Sequence, residues 1–158
     1  MDHLFDARDN GRALFEYLQE NPPKNAKVYF ALSGRSSQYA ELKRKGNVLD
    51  RDSIKYMKFY LQADVIASSR QEEFVYRPFG VASSYMNDLE HFRFFFLQHG
   101  TILHDLSPIL KRTTNRVDVF LTSSKFESKS ISKEEYLYEA DQIALTGQPR
   151  TDLLQRDS

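Results

Sequence analysis

The sequence contains no cysteine. This absence excludes disulfide bonds, thiolate metal sites and cysteine nucleophiles, and it fits a reducing compartment such as the cytoplasm. No run of residues is long and apolar enough to span a bilayer, and the acidic amino end, Met1-Asp2-His3, does not resemble a signal peptide. We therefore expect a soluble, cytoplasmic protein, and peripheral association with the inner face of the cell membrane stays open.

An excess of charge of one sign is missing as well. The chain has 22 Lys and Arg against 22 Asp and Glu in 158 residues. No overall field attracts such a chain to nucleic acid or to an acidic surface, so an anionic ligand must be held by local groups. We predict no nucleic-acid partner. The length predicts one domain over residues 1–158, with an ordered core over about 5–154.

Common metal and nucleotide motifs are also missing. His99 and His104 are five positions apart, and the sequence has neither His-Glu-x-x-His nor carboxylates at the spacing of a calcium loop. Neither G-x-G-x-x-G nor a Walker A sequence is present, which disfavours a standard dinucleotide or nucleoside triphosphate site. We predict that the chain binds no metal and no cofactor.

What the chain does contain is an alternation of strand and helix patterns. This alternation favours an α/β fold: a Rossmann-like parallel sheet with helices on both faces. The stretch 70–89 interrupts the pattern, and we expect a surface excursion or lid there. The predicted helices cover 10–19, a segment from Tyr39 to about Lys45, 53–62 and 125–132, and the predicted strands lie at 27–32, near Val48, at 64–67, at 94–97, at 118–122 and at 142–146.

Small and polar residues follow five of the predicted strands. Because the carboxyl ends of parallel strands share one edge of a sheet, we expect hydroxyls, backbone amides and cations to meet there and to hold a polar, anionic ligand. The same residue types also cap helices and form turns, so each loop by itself has a structural explanation. The five exits are Ser33-Gly34-Arg35-Ser36-Ser37, Ser68-Ser69-Arg70, His99-Gly100-Thr101, Ser123-Ser124-Lys125 and Gly147-Gln148-Pro149-Arg150.

The exit at His99 follows the apolar run 94–97, which is typical of a strand buried on both faces. An imidazole can accept a proton near neutral pH, so His99 is the leading candidate for a general base. The alternative is a structural histidine at a strand end. Gly100 would let a substrate approach closely, and Thr101 would cap a following helix. His104 is either a helper of His99 or a solvent-facing residue.

A polar cluster precedes the first predicted helix, where Asp9 or Asn10 is the expected N-cap. Carboxylates at this position suit the helix macrodipole, which is enough to explain the cluster. Asp105 would either orient an imidazole or cap a helix that starts near Ser107.

Three segments together resemble the CDP-glycerol glycerophosphotransferase family of teichoic acid and capsular polysaccharide synthesis. The His99-Gly100 pair and the Gly-x-Pro-Arg-x-Asp motif at 147–152 are its most specific parts. One position departs from the family pattern: Gln98 stands where many members have tryptophan. The three segments are 6–14, 96–100 with 105–107, and 145–154.

The resemblance implies the amino-terminal, acceptor-side half of a two-domain architecture like that of GT-B glycosyltransferases. His99 would deprotonate a polyol-phosphate or glycan acceptor for attack on a CDP-alditol donor, and Arg150 with Asp152 would lie near the cleft between the halves. The donor-binding half would lie beyond this chain, so we expect the chain alone to be inactive. Two alternatives remain: a GT-B glycosyltransferase domain that uses a sugar nucleotide, and a non-catalytic α/β binding module.

The resemblance and the strand exits together give the predicted site. His99 is the predicted catalytic residue, and the predicted substrate-binding residues are Gly100, Thr101, Arg150, Asp152, Ser33, Gly34, Arg35, Ser68 and Ser69.

Overall fold

The structure is a computed structural model that describes residues 1–102, 104–113, 116–133 and 135–156. The last two residues of the predicted domain, 157 and 158, lie outside the described residues. Strands and helices alternate along the described part, as the sequence predicts. They are α1 (Asn10–Glu20), β1 (Phe30–Leu32), α2 (Tyr39–Lys45), β2 (Val48–Asp50), α3 (Ile54–Leu61), β3 (Val65–Ser68), α4 (Glu73–Tyr76), β4 (Arg93–Phe96), α5 (Ser107–Leu110), β5 (Val119–Thr122), α6 (Lys125–Ile131), β6 (Ile143–Leu145) and α7 (Pro149–Arg156), with 3₁₀ segments at Gly80–Leu89 and Ala140–Gln142.

The strand pairs are parallel, which confirms the predicted α/β class. β1 pairs with β2 alone, and the other strands form a four-stranded sheet in the order β3-β4-β5-β6. The prediction of one continuous sheet is therefore wrong in this detail. Ala31 of β1 and Leu49 of β2 nevertheless pack in the same buried cluster as Phe94 and Phe120, so side-chain packing joins the two sheets where backbone pairing does not.

β4 lies inside the larger sheet, between β3 and β5. Phe94 and Phe96 are buried, and the rings of Phe96 and Phe120 meet edge to face with centroids 5.1 Å apart. The prediction that both faces of β4 are buried is wrong, because Arg93 is exposed and Phe95 only half-buried. The guanidinium of Arg93 lies 5.6 Å from the Phe95 ring, so a cation covers part of that face.

The stretch 70–89 does not form the expected surface excursion along its whole length. Val75 and Tyr76 in α4 are buried, and the ring of Tyr76 lies 4.6 Å from that of Phe94. The side chain of Arg51 donates to the carbonyl of Val75 at 2.6 Å and ties the segment to the end of β2. Val75 and Tyr76 therefore belong to the core, because the ring of Tyr76 docks on β4, while Glu73 and Phe74 beside them are exposed.

Helix starts are capped by the residue types that the sequence offers. Asp9 accepts a hydrogen bond from the backbone amide of Asn10, and Ser53 caps α3. Thr101 does not cap a helix, since the chain is irregular at 101–102 and 104–106. Asp105 accepts from the amide of Ser107, the first residue of α5, at 2.9 Å, and this hydrogen bond lowers the pKa of its carboxyl group.

In the part of the chain that the structure describes, no helix is both long and apolar enough to cross a bilayer.

Candidate functional site at the carboxyl ends of β3 and β4

Three segments that are far apart in the sequence meet at one buried side chain, Asn10, in the first turn of α1. Its Nδ2 donates to the carbonyls of Leu97 at 3.2 Å and Gln98 at 2.9 Å, just beyond β4. Its Oδ1 accepts from the backbone amide of Arg150 at 3.0 Å, at the start of α7. The side-chain amide of Asn10 therefore fixes the positions of three elements: the start of α1, the start of α7 and the end of β4.

The backbone bends sharply just before His99. Gln98 has a φ of 59°, in the left-handed region that residues with a side chain seldom adopt. Such a conformation costs on the order of 1 kcal/mol and persists only where the surroundings hold it. Here the side chain of Gln98 is buried and donates to the carbonyl of Leu121 at 2.5 Å, while its own carbonyl accepts from Asn10. The next residue, His99, is exposed at the edge of the sheet.

Asp9 forms an ion pair with Arg150 at the start of α1. The guanidinium Nη1 of Arg150 lies 3.1 Å from Asp9 Oδ1. Burial raises the pKa of the Asp9 carboxyl group, and the amide of Asn10 and the positive charges of Arg150 and His99 oppose that rise. In the described part of the chain Arg150 forms its ion pair with Asp9, not with Asp152, which is exposed in the first turn of α7. A cation and a half-buried carboxyl group therefore pair at the start of α1, and Asn10, the next residue, donates to the carbonyl that precedes His99.

A cleft of about 290 Å³ opens beside His99. A side chain at Gly100 would meet no other atom within 4 Å, and Gly100 does not adopt a left-handed φ. The protein itself therefore leaves space at this position, next to the candidate base. The cleft is lined by Arg70, Gln71, Glu72, Phe96, Gln98, His99, Gly100, Thr101, Ile102, Leu106, Ile109 and Leu110.

The predicted residues at the end of β3 lie inside the protein. Ser68 and Ser69 are fully buried. The hydroxyl of Ser68 accepts from the amide of Arg70 at 3.1 Å, and that of Ser69 donates to Asp2 Oδ1 at 2.6 Å. Both hydroxyls therefore shape the loop from within and do not line the cleft.

The predicted residues at the end of β1 have carboxylate partners from the end of β2 and the turn after it. Ser33 Oγ donates to Asp52 Oδ2 at 2.7 Å, and Arg35 lies 3.2 Å from the same oxygen. The amide of Gly34 donates to Asp50 Oδ1 at 2.8 Å. The hydroxyl, amide and guanidinium groups of this loop therefore already pair with two carboxylates, so few donors remain that could bind an anion.

Sequence reasoning missed the roles of Asp2, Asp9 and Asn10. The buried carboxylate of Asp2 accepts from the amide of Gly11 at 2.6 Å and from those of Asp9 and Arg12 at 3.1 Å. From the sequence alone, the helix macrodipole explained the polar cluster of Asp6, Arg8, Asp9 and Asn10, which lies in the segment 6–14 that resembles the family, and no signal pointed to Asp2. Among the described residues no three His, Asp or Glu side chains gather as a metal site would require.

Parallel strands flanked by helices make this an α/β domain, and in domains of this class ligands bind beyond the carboxyl ends of the strands, where His99 lies. Residues 3–158 match the family model described as CDP-glycerol:poly(glycerophosphate) glycerophosphotransferase. The match covers nearly the whole chain, so the chain belongs to this family. The resemblance seen in the sequence is confirmed.

The chain is similar to two proteins that are named for teichoic acid, and it spans less than half the length of each. It is 33% identical over 156 residues to the minor teichoic acid biosynthesis protein GgaB of Bacillus subtilis (strain 168), a match that covers 99% of this chain and 17% of GgaB. The wall teichoic acid polymerase TagF superposes with a TM-score of 0.64 at 17% identity, over 99% of this chain and 40% of the TagF chain. A TagF structure of a histidine-to-asparagine variant with CDPG gives a TM-score of 0.62 at 17% identity, over 97% of this chain and 39% of the other. At this identity the likeness to TagF shows the fold alone.

Proposed function

We propose that the chain is the acceptor-side, amino-terminal domain of a glycerophosphotransferase with a GT-B-like architecture. The enzyme would move an alditol phosphate from CDP-glycerol or CDP-ribitol to a cell-wall or capsular polysaccharide, at the cytoplasmic side and in peripheral contact with the membrane. Family membership and the names of both relatives support this proposal. The single observation that carries it is the Asn10 amide, which joins the segment before His99 to the amide of Arg150, 52 positions further along the chain than Gln98.

The chemistry assigned to His99 is general-base catalysis. A ring nitrogen takes the proton from an acceptor hydroxyl as its oxygen attacks the β-phosphorus of the donor. The new bond joins that oxygen to the β-phosphorus, the bond from the β-phosphorus to the bridging oxygen breaks, and CMP leaves. Arg150 is tied to the same segment, because Asn10 accepts from its backbone amide and donates to the carbonyl of Gln98. Its planar guanidinium suits a phosphoryl group that carries charge during transfer.

The donor would bind a second domain. The chain spans 17% of GgaB and 40% of the TagF chain, so both relatives have ample further sequence for a donor-binding half. This division also explains why the described site presents a base candidate and a cleft without a nucleotide-binding motif. We therefore expect activity only from the full-length protein.

The test is His99→Ala in the full-length protein, assayed by CMP release from CDP-glycerol with a polymer acceptor. Loss of the base should lower the rate by about 10²- to 10⁴-fold, with thermal unfolding unchanged because the side chain is exposed. His91→Ala is the matched control, since His91 is also exposed and does not line the cleft. Turnover of His99→Ala at the wild-type rate, or consumption of a nucleoside diphosphate sugar in place of CDP-glycerol, would contradict the proposal.

A further inference from the structure

The segment 99–101, which begins with His99, lies between two anchored positions of the backbone. Among the described residues no hydrogen bond holds the backbone of this segment itself. On its amino side, the carbonyl and the side chain of Gln98 are both hydrogen-bonded inside the protein. On its carboxyl side, the amide of Ile102 donates to Glu127 Oε1 at 3.0 Å. The position of His99 at the cleft therefore depends on both anchors.

Glu127 is a buried carboxylate in the first turn of α6. The residue is only 3% exposed, and its hydrogen-bond partners among the described residues are all uncharged. Its Oε2 accepts from the amide of Ser123 at 2.6 Å and from the hydroxyl of the same residue at 2.7 Å. A carboxylate that is buried without a cation lowers stability unless its oxygens are hydrogen-bonded. Both oxygens of Glu127 meet this condition, each with a different segment of the chain.

Helix capping explains only one of these two oxygens. Ser124 is the N-cap of α6, and its hydroxyl accepts from the amide of Glu127 at 3.2 Å. A glutamate at this position commonly reaches back to a backbone amide at the helix start, as Oε2 does with Ser123. The other oxygen, Oε1, instead contacts a residue 25 positions earlier in the chain. Because β4 and β5 are neighbours in the sheet, Glu127 joins the exits of two adjacent strands.

We infer that Glu127 is a positioning residue for His99. Through the amide of Ile102 it fixes the carboxyl side of the segment 99–101, and so the place of the imidazole. Ile102 also lines the cleft, so release of its amide would move part of the cleft wall together with the base. A displacement of about 1 Å at a catalytic group can lower the rate by about 100-fold. The inference rests on the proposed function, in which His99 is the base.

Glu127→Met in the full-length protein is the first test, because it removes both acceptor oxygens and keeps the length of the side chain. The amide of Ile102 then has no partner in Glu127. We expect kcat to fall about 10- to 100-fold while the KM for CDP-glycerol is unchanged, since the donor would bind the second domain. Glu127→Gln keeps one acceptor oxygen, so its kcat should lie between those of Glu127→Met and the wild type. It carries the same test if Glu127→Met does not fold.

Ser124→Ala is the matched control, because it weakens the start of the same helix and leaves the contact between Glu127 and Ile102 in place. Loss of this cap should lower stability, while kcat per folded molecule stays at the wild-type value. Equal losses of kcat in Ser124→Ala and Glu127→Met, in proportion to lost stability, would make Glu127 a structural residue and the inference wrong.

Hydrogen exchange measured by mass spectrometry on the full-length protein reports the anchor directly. Glu127→Met should speed the exchange of the Ile102 amide about tenfold, whereas Ser124→Ala should leave it unchanged. Unchanged exchange at Ile102 in Glu127→Met would show that the carboxylate does not hold this segment, and it would overturn the inference.

A double mutant separates this inference from the proposed function. If Glu127 acts through His99, adding Glu127→Met to His99→Ala should leave the residual rate unchanged, because no base is left to position. A further tenfold loss there, or a wild-type kcat in Glu127→Met while His99→Ala abolishes transfer, overturns the inference and leaves the proposed base intact. Full turnover of His99→Ala contradicts the proposed base, and with it the role of Glu127 in the reaction.

Discussion

The side-chain amide of Asn10 forms three hydrogen bonds at the junction of three segments. The geometry of the candidate site therefore depends on this residue more than on any other described here. Its Nδ2 contacts two carbonyls and its Oδ1 one backbone amide, all inside the protein. Each partner is a backbone group, and those of Leu97 and Gln98 belong to buried residues, where backbone groups need hydrogen-bond partners. The side chain therefore stabilises the left-handed turn at Gln98 and the start of α7 together.

Asn10→Asp should harm both stability and transfer. The substitution keeps the acceptor for the Arg150 amide but turns a carboxylate oxygen toward the carbonyls of Leu97 and Gln98. Loss of this buried donor should lower the free energy of unfolding by about 1–3 kcal/mol, measured by urea denaturation. A displaced His99 beside a new carboxylate should also move the pH profile of kcat/KM.

Asn25→Asp makes the same chemical change at an exposed position and should leave both quantities unchanged. A pH profile of Asn10→Asp that matches the wild type, despite lost stability, would show that Asn10 holds the fold but does not position His99.

At the residue scale, His99 was predictable and Asn10 was not. His99 follows an apolar run and precedes a glycine, and both signals are local. The partners of Asn10 are 87, 88 and 140 positions away in the sequence, so no local pattern records them. The pair of Arg150 with Asp9 in place of Asp152 has the same origin, because folding brings the starts of α1 and α7 together.

At the scale of elements, β4 is held at both of its ends. Asn10 binds the backbone just beyond its carboxyl end. Before its amino end lies the buried Glu90, whose carboxylate accepts three hydrogen bonds. The donors are Arg77 at 2.5 Å, Arg116 at 2.9 Å and the hydroxyl of Tyr60 at 2.6 Å. Burial, together with this hydrogen bond to Glu90, raises the pKa of Tyr60 well above its ordinary value. The strand that carries His99 is thus fixed by polar networks as well as by its phenylalanines.

Glu90→Gln should be strongly destabilising, because it leaves the charges of Arg77 and Arg116 without their buried partner. Breaking a buried ion pair in this way costs about 3–5 kcal/mol, to be measured as the change in the free energy of unfolding in urea. Glu73→Gln is the control: Glu73 pairs with the same Arg77 at 2.8 Å, but its side chain is 59% exposed. Its loss should cost less than about 1 kcal/mol. Equal costs would mean that burial does not decide the strength of this network.

The order of most elements was predictable from the sequence, with boundaries shifted by a few residues. The predicted strand 27–32 shortens to Phe30–Leu32, while the predicted helix 53–62 becomes Ile54–Leu61 with Ser53 as its cap. Hydrophobic period and capping residues are local properties, and they suffice for these elements. The docking of Tyr76 on Phe94 depends on a contact across the core, so the sequence showed only an unexplained stretch there.

At the scale of the whole molecule, a net charge of zero conceals an uneven arrangement of carboxyl groups. Burial alone would raise the pKa of Glu16, but hydrogen bonds from Lys45 and Arg12 between α1 and α2 outweigh it and lower that pKa. The hydrogen bond from Ser33, with the help of Arg35, likewise lowers the pKa of Asp52. Asp9 differs, since burial raises its pKa.

Acidification should therefore destabilise the fold through Glu16. A carboxyl group with a lowered pKa in the folded state contributes stability above its ordinary value, 4.5 for Glu16, and loses it as the pH falls through the folded pKa. The free energy of unfolding should fall below about pH 4.5, and the fall should be smaller in Glu16→Gln. Asp9 acts with the opposite sign, because its contribution declines as the pH rises through its raised pKa. Identical pH dependence in Glu16→Gln and the wild type, followed by urea denaturation at several pH values, would contradict this account.

The sequence by itself determined the α/β class, the order of most helices and strands, the family and the place of His99 at the end of a strand. These follow from periodicity, capping residues and short motifs, all of which act between neighbours in the chain. Only the tertiary structure decided that β1 and β2 pair apart from the larger sheet, that Asp50 and Asp52 occupy the loop after β1, and that Asn10 joins α1, β4 and α7. Those outcomes depend on contacts between residues that are distant in the sequence, and such contacts form only when the strands and helices pack together.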